Sequence, residues 1–165
     1  MRKINCDAAN KLVRQMQSER DALIRAESET STYSYMAGEE PVVPEYDFRA
    51  VNARLSELAD KIASIKHAIN IFNTSTELPE IGLTIDGALV RMTMLNGDKS
   101  RFDRMRHVQK KARSGSSVRG VSEYTERNYD SEDAEKMYQD VCMELIAIQQ
   151  AIDMANLTRT LEVDI

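Results

Sequence analysis

Eight apolar residues, Phe48, Val51, Leu55, Leu58, Ile62, Ile65, Ile69 and Phe72, follow one another in alternating steps of three and four without a miss. Such spacing lays them along one stripe of an α-helix, the seam of a coiled coil or of a long bundle helix, whereas a strand would need alternation by two. Asp47 precedes the stripe as a cap. The pattern recurs after Asp130 in Ala134, Tyr138, Val141, Leu145, Ile148, Ile152 and Ala155, with Glu132 and Asp133 in a first turn where negative charge complements the helix dipole.

Two further helices are predicted. One runs from about Asn5 to Ser28 with Ala9, Leu12, Met16, Leu23 and Ala26 on a stripe that Glu19 interrupts. The other covers roughly Thr84 to Arg113 with a less regular face of Ile85, Ala88, Leu89, Met92, Leu95, Phe102, Met105 and Ala112. Gly87 and Gly97 weaken it, each interior glycine costing about 1 kcal/mol relative to alanine, which leaves room for a bend or local break near Asn96-Gly97.

Sliding the chain by 83 residues superposes Tyr46-Asp47 on Tyr129-Asp130, Ala68-Ile69 on Ala151-Ile152, Asn73 on Asn156 and Leu78 on Leu161, and brings the two seams into phase. A duplicated helix, long loop, helix unit accounts for this, with repeats at about 1–80 and 84–161 inside one helical domain, 1–165. Any two heptad helices can be slid into register, which is the competing account. The loops, 29–46 and 114–130, are longer than most helix connections and carry β-prone pieces bounded by turn residues, among them Tyr33, Tyr35, Gly38, Pro41 and Pro44 in the first and Gly115, Val118, Gly120, Val121 and Tyr124 in the second. A small β-ribbon and disorder are both compatible with them. The expected fold is therefore all-α: an antiparallel, coiled-coil-like helical bundle of two repeated hairpins.

Composition narrows the functional classes. The chain of 165 residues has no Trp and three Phe, which suits a core of Leu, Ile, Val, Ala and Met. Cys6 and Cys142 are its only cysteines and have no Cys or His at ligand spacing, which speaks against a disulfide scaffold or a zinc site. No run approaches the roughly eighteen apolar residues of a membrane span, and the start lacks the apolar stretch of a signal sequence; the expected location is the cytoplasm, with no membrane contact.

The segments Asn70-Ile71-Phe72-Asn73, Ser100-Arg101-Phe102 and Ala155-Asn156-Leu157-Thr158-Arg159-Thr160-Leu161 resemble a family of small bacterial helical proteins, some of which carry the name septicolysin. The likeness follows nearly the whole chain in order. Leu157 stands where that family usually has Trp. The resemblance implies a helical fold and a bacterial source, and brings no catalytic or binding residue with it. Nothing in the chain supports a cytolysin, because a pore former needs a membrane-inserting segment.

Charge is the most functional-looking feature. Lys99, Arg101, Arg104, Arg106, Lys110, Lys111, Arg113 and Arg119 face one acid, Asp103, between residues 99 and 119; that surplus of seven in a chain of net −5 leaves the remainder at −12. Such a run could bind nucleic acid or another polyanion, or dock on acidic segments such as Glu39-Glu40 or Glu132-Asp133 of a neighbouring subunit. The carboxylate pairs Glu57/Asp60, Glu77/Glu80 and Glu132/Glu135 have the three-residue spacing by which all-helical hydrolases hold magnesium, although in so charged a sequence chance supplies such pairs. His67 and His107 lack the neighbours of a helical metal motif. No catalytic, cofactor or metal residue is assigned. Apolar residues near two helix ends, Ile71, Phe72, Met154 and Leu157, suggest a homo-oligomer. The leading expectation is an oligomeric structural or interaction protein without enzymatic activity, followed by a polyanion binder and then a metal-dependent hydrolase.

Overall fold

The computed structural model describes residues 2–118 and 121–164, with 114–118 by their backbone alone. The fold is mostly helical, with small antiparallel sheets. In chain order the elements are β1 (Arg2–Asn5), α1 (Cys6–Thr30), α2 (Phe48–Ser75), β2 (Glu77–Leu78), β3 (Leu83–Thr84), α3 (Ile85–Arg106), β4 (Lys111–Val118), β5 (Val121–Glu126), α4 (Ser131–Thr158) and β6 (Thr160–Val163). They form two compact units, Met1–Thr76 with Met154–Ile165, and Glu77–Asp153.

In the first unit α1 and α2 run antiparallel. Tyr46, just ahead of α2, donates its hydroxyl to Glu27 near the end of α1 at 2.6 Å, while Arg54 further along α2 reaches back to Glu19, its Nε at 3.0 Å. Glu19 thus breaks the apolar stripe of α1 because it faces a guanidinium. Asn5 caps α1 by accepting from Ala8 N–H, and Asp47 caps α2 by accepting from Arg49 and Ala50 N–H. Burial follows the seam of α2 through Leu58, Ile62, Ile65 and Phe72, while Phe48, at the same stripe's start, is 62% exposed.

The pairing of β1 with β6, Arg2 opposite Val163 through Asn5 opposite Thr160, lies outside the sequence expectation. It follows from alternation in β6, where Leu161 and Val163 are buried and Thr160 and Glu162 are exposed. Lys3 and Glu162, cross-strand partners, form an exposed ion pair at 3.5 Å.

In the second unit the short strands β2 and β3 are joined through Gly82, whose φ of +66° favours glycine and whose N–H reaches Leu78 O at 2.9 Å. Thr84 caps α3 by accepting from Gly87 N–H. Two sequence expectations are corrected here. First, α3 continues through Gly97 without a break, its face held by buried Ile85, Ala88 and Leu95. Second, it ends at Arg106 rather than Arg113, with His107 as its C-cap. Ser114, Gly115, Ser116 and Ser117 are poor helix formers, and Arg127 draws the segment into a ribbon, its N–H bonding Lys110 O and its Nη1 bonding Val108 O. The ribbon, β4 against β5, occupies much of the second long connection. In the first connection the described residues form no strand; Met36 O accepts from Glu39 N–H across a turn, and Tyr33 and Tyr35 stack.

Helices α3 and α4 also run antiparallel within this unit. Arg91 pairs with Glu144, its Nε at 2.7 Å, and Arg106 with Glu135 at 3.0 Å, so contacts rise on one helix as they fall on the other. The buried seam of α4 is Ala134, Val141, Ile148 and Ile152, continued by Ala155 in the first unit.

Candidate functional site

The basic run is divided between two elements and several directions. Lys99, Arg101, Arg104 and Arg106 lie on α3, Lys110 just before β4, Lys111 and Arg113 on β4; Arg119 lies outside the described residues. Lys99 and Arg104, five residues apart, point about 140° from each other around the helix. No single basic surface results.

Much of the charge is already answered inside the unit. Arg101 pairs with Asp98 at 3.2 Å and lies over the Phe102 ring. Arg106 is held by Asp103 at 2.8 Å and by Glu135, and its guanidinium stacks 3.9 Å from the Tyr138 ring centroid. These contacts raise its pKa, the Glu135 hydrogen bond foremost, while Arg106 in turn lowers that of Glu135. Lys111 pairs with Glu126, its cross-strand partner, beneath the Tyr124 ring. Lys99, Arg104, Lys110 and Arg113 make no ion pair among the described residues.

Beside this network lies a polar hollow of about 300 Å³, lined by Asn96, Lys99, Ser100 and Asp103 of α3 and by Tyr138 of α4. The Tyr138 pKa is raised, chiefly by its hydrogen bond with Cys142. Among the described residues Lys99 is the one cation lining it, and Asp103 the one acid.

The carboxylate pairs do not converge. Glu57 is taken up by Arg54 at 2.7 Å and Lys61 at 2.6 Å, which lower its pKa, Lys61 first. Glu77 sits in β2 and Glu80 in the following turn; Glu135 belongs to Arg106 and Gln139. Among the described residues no three His, Cys, Asp or Glu side chains gather at metal-binding distance. His67 is exposed, and His107 places Nδ1 2.7 Å from Asp103 O at the end of α3. Both cysteines are free; Cys6 is buried, and desolvation pushes its thiol pKa up.

Apolar surface is where the sequence reading missed most. Ile71, Met154 and Leu157 are exposed as expected, but Phe72 is buried, closing the end of α2. Unforeseen are Val90 and Met94 on α3 and Met143 and Ile146 on α4, 56, 60, 61 and 57% exposed. Each pair lies away from the buried seam of its own helix, on the side turned from the facing helix. The signal was present, since α4 carries apolar residues at helical spacing off its seam, but the perfect seam accounted for the helix without them.

No protein-family model and no curated protein matches this chain. Among solved structures it is similar to a functionally unknown conserved protein from Corynebacterium diphtheriae, with a TM-score of 0.67 and 16% identity over 98% of this chain and 100% of that one. At that identity the likeness concerns the fold alone. No helix among the described residues is long and apolar enough to cross a membrane.

Proposed function

We propose that this chain is a self-associating structural or interaction protein of the bacterial cytoplasm, without enzymatic activity. The observation that carries the reading is the pair of large apolar side chains more than half exposed on each of α3 and α4, away from that helix's own buried seam. Isolated exposed apolar residues are ordinary, but neighbouring ones on one helix, Val90 with Met94 and Met143 with Ile146, mark candidate interaction surfaces. The surface area agrees: the chain exposes 12060 Å², whereas two separate compact globules sharing 18.7 kDa equally would expose about 10,000 Å² together. Two free cysteines are compatible with a reducing compartment. Size-exclusion chromatography with light scattering tests the reading; it expects a homo-oligomer, and a monomer at high concentration refutes it.

The architecture we infer with it is a bundle of two duplicated hairpins. Supporting this, α2 and α4 are each 28 residues long, each follows an aspartate whose carboxylate accepts from backbone N–H, Asp47 from Arg49 and Ala50 and Asp130 from Glu132, and each leads into a short strand. The affiliation with the septicolysin-named helical family remains part of the same proposal.

Polyanion binding is the second reading, favoured by the four cations that make no ion pair among the described residues. Changing Arg104, Lys110 and Lys111 to Gln should then weaken binding to DNA or RNA and flatten its salt dependence by about one unit of log slope per lost phosphate contact. The dispersal of those cations over α3 and β4 makes it the weaker reading. Metal-dependent hydrolysis comes third, since Glu57 and Glu135 are held by cations rather than aimed at a common point.

A further inference from the structure

Between Arg25 and Arg49 the chain has no Lys, Arg or His and six acids, Glu27, Glu29, Glu39, Glu40, Glu45 and Asp47. These residues, 26–48, hold half of the −12 that balances the basic run at 99–119. One concentration of charge thus falls on the long connection of the first unit. The other falls on the end of α3 and the long connection of the second.

Part of each is used inside its own unit. Glu27 accepts from the Tyr46 hydroxyl and Asp47 caps α2, while Arg101, Arg106 and Lys111 have acids of their own. Glu29, Glu39, Glu40 and Glu45 are exposed and make no ion pair among the described residues; nor do Lys99, Arg104, Lys110 and Arg113. Like charges gathered without counterions repel one another, so each set gains by meeting the other.

Charge alone would leave both sets in water. The acidic connection adds large apolar side chains, Tyr35, Met36, Val42 and Val43 being 60, 73, 90 and 62% exposed. Val42 and Val43 stand between Pro41 and Pro44, whose rings fix φ and hold the segment extended. Ordering it against a partner therefore costs little further entropy.

The ribbon of β4 and β5 supplies the counterpart. Lys111 lies opposite Glu126 and Arg113 opposite Tyr124, so alternation puts these four on one face and Glu123 on the other. Glu126 answers Lys111, which leaves Arg113 as the unanswered cation of that face, beside a Tyr124 that is 54% exposed. Ser122 apart, every described side chain of β4 and β5 is exposed, and a two-stranded ribbon bare on both faces is marginally stable in water. The lengths also match. From Glu39 to Glu45 an extended chain spans about 20 Å, as does a six-residue strand such as β5.

We propose that the segment from Glu39 to Glu45 of one copy docks on the β4–β5 ribbon of a second copy, with Val42 and Val43 against Tyr124 and the acids toward Lys110 and Arg113. The proposal rests on the self-association reading and names one contact of it. Because the two surfaces differ, every copy brings both halves of the contact.

The test is sedimentation equilibrium and light scattering on the full chain at about 0.1 M salt, where surface charges still act over roughly 10 Å, with circular dichroism to confirm the fold. Glu39→Lys with Glu40→Lys and Glu45→Lys makes a loop variant, and Lys110→Glu with Arg113→Glu makes a ribbon variant. Each alone should weaken association at least tenfold. An equimolar mixture should recover it, because the basic loop of one variant meets the acidic ribbon of the other and their unchanged halves also match. Failure of the mixture to recover overturns the proposal. A wild-type oligomer that survives both variants also overturns it, while leaving self-association standing. Should the ribbon variant lose its fold, Val42→Ser with Val43→Ser decides: association weakened at least tenfold supports the contact, and unchanged association overturns it. A monomeric wild type removes both readings, and one that binds labelled DNA through Lys110 and Arg113 assigns those cations to a polyanion instead.

Discussion

Ile65 and Phe48 belong to one uninterrupted apolar stripe, yet the structure buries Ile65 completely and leaves Phe48 62% exposed. Truncating each to alanine therefore separates pattern from packing. Ile65→Ala removes three carbons, about 2.4 kcal/mol at roughly 0.8 kcal/mol per buried methylene, and leaves a cavity whose cost brings the total to about 3.5 kcal/mol, inside the usual range for such truncations. Phe48→Ala forfeits only the covered part of its ring, about 1 kcal/mol. The chain has no Trp, so far-UV circular dichroism during urea titration is the suitable probe. With a slope of about 2 kcal/mol/M, Ile65→Ala should lower the midpoint for the first unit by about 1.7 M and Phe48→Ala by about 0.5 M. Hydrogen exchange along α2 should show the same order. Equal shifts for the two variants would refute the reasoning, since they would mean that the stripe is buried along its whole length.

Asp47→Ala removes the side chain that accepts from Arg49 and Ala50 N–H and should cost about 1 kcal/mol in thermal unfolding, with Asp47→Asn costing much less. Gly97→Ala should raise the stability of the second unit by about 0.5–1 kcal/mol, because its Cβ enters open space on a helix; a loss measured in dilute protein would contradict the packing described. The Tyr46 pKa is raised to about 12, above all by its hydrogen bond to Glu27, and lies above the unfolded value of about 10. What this contact contributes is therefore fully present below about pH 10 and lost as pH climbs toward 12, so the difference in melting temperature between wild type and Tyr46→Phe should shrink over that interval and stay constant from pH 7 to 9.

The sequence was most informative where one residue pattern had one physical solution. Two seams of threes and fours, each behind an aspartate, specify helices at their observed starts, because the hydrogen-bonding needs of a first turn and the 3.6-residue period are local. The end of α3 was less legible. Ala112 continues an apolar face, and only the strand pairing that places Lys111 opposite Glu126 and Arg113 opposite Tyr124 overrides it. Such pairing joins residues that no local window holds together. The β1–β6 pair is the extreme case: Ile4 and Leu161 are cross-strand partners from opposite ends of the chain, and four alternating residues are too short a signal to predict a strand without its partner.

The candidate site shows the same division. Eight basic residues in a row of twenty-one looked like one surface because sequence proximity was the available measure; the helix turned them apart, and acids distant in sequence, Glu135 and Glu126, met two of them. Conversely, Val90 with Met94 and Met143 with Ile146 stand out as exposed apolar pairs only once the buried seams of α3 and α4 are known. A seam explains why a helix folds against its own core. What the helix does beyond that is written in the residues the seam does not use, and on α4 those include Met143 and Ile146 where α2 has Asp60 and Ala63.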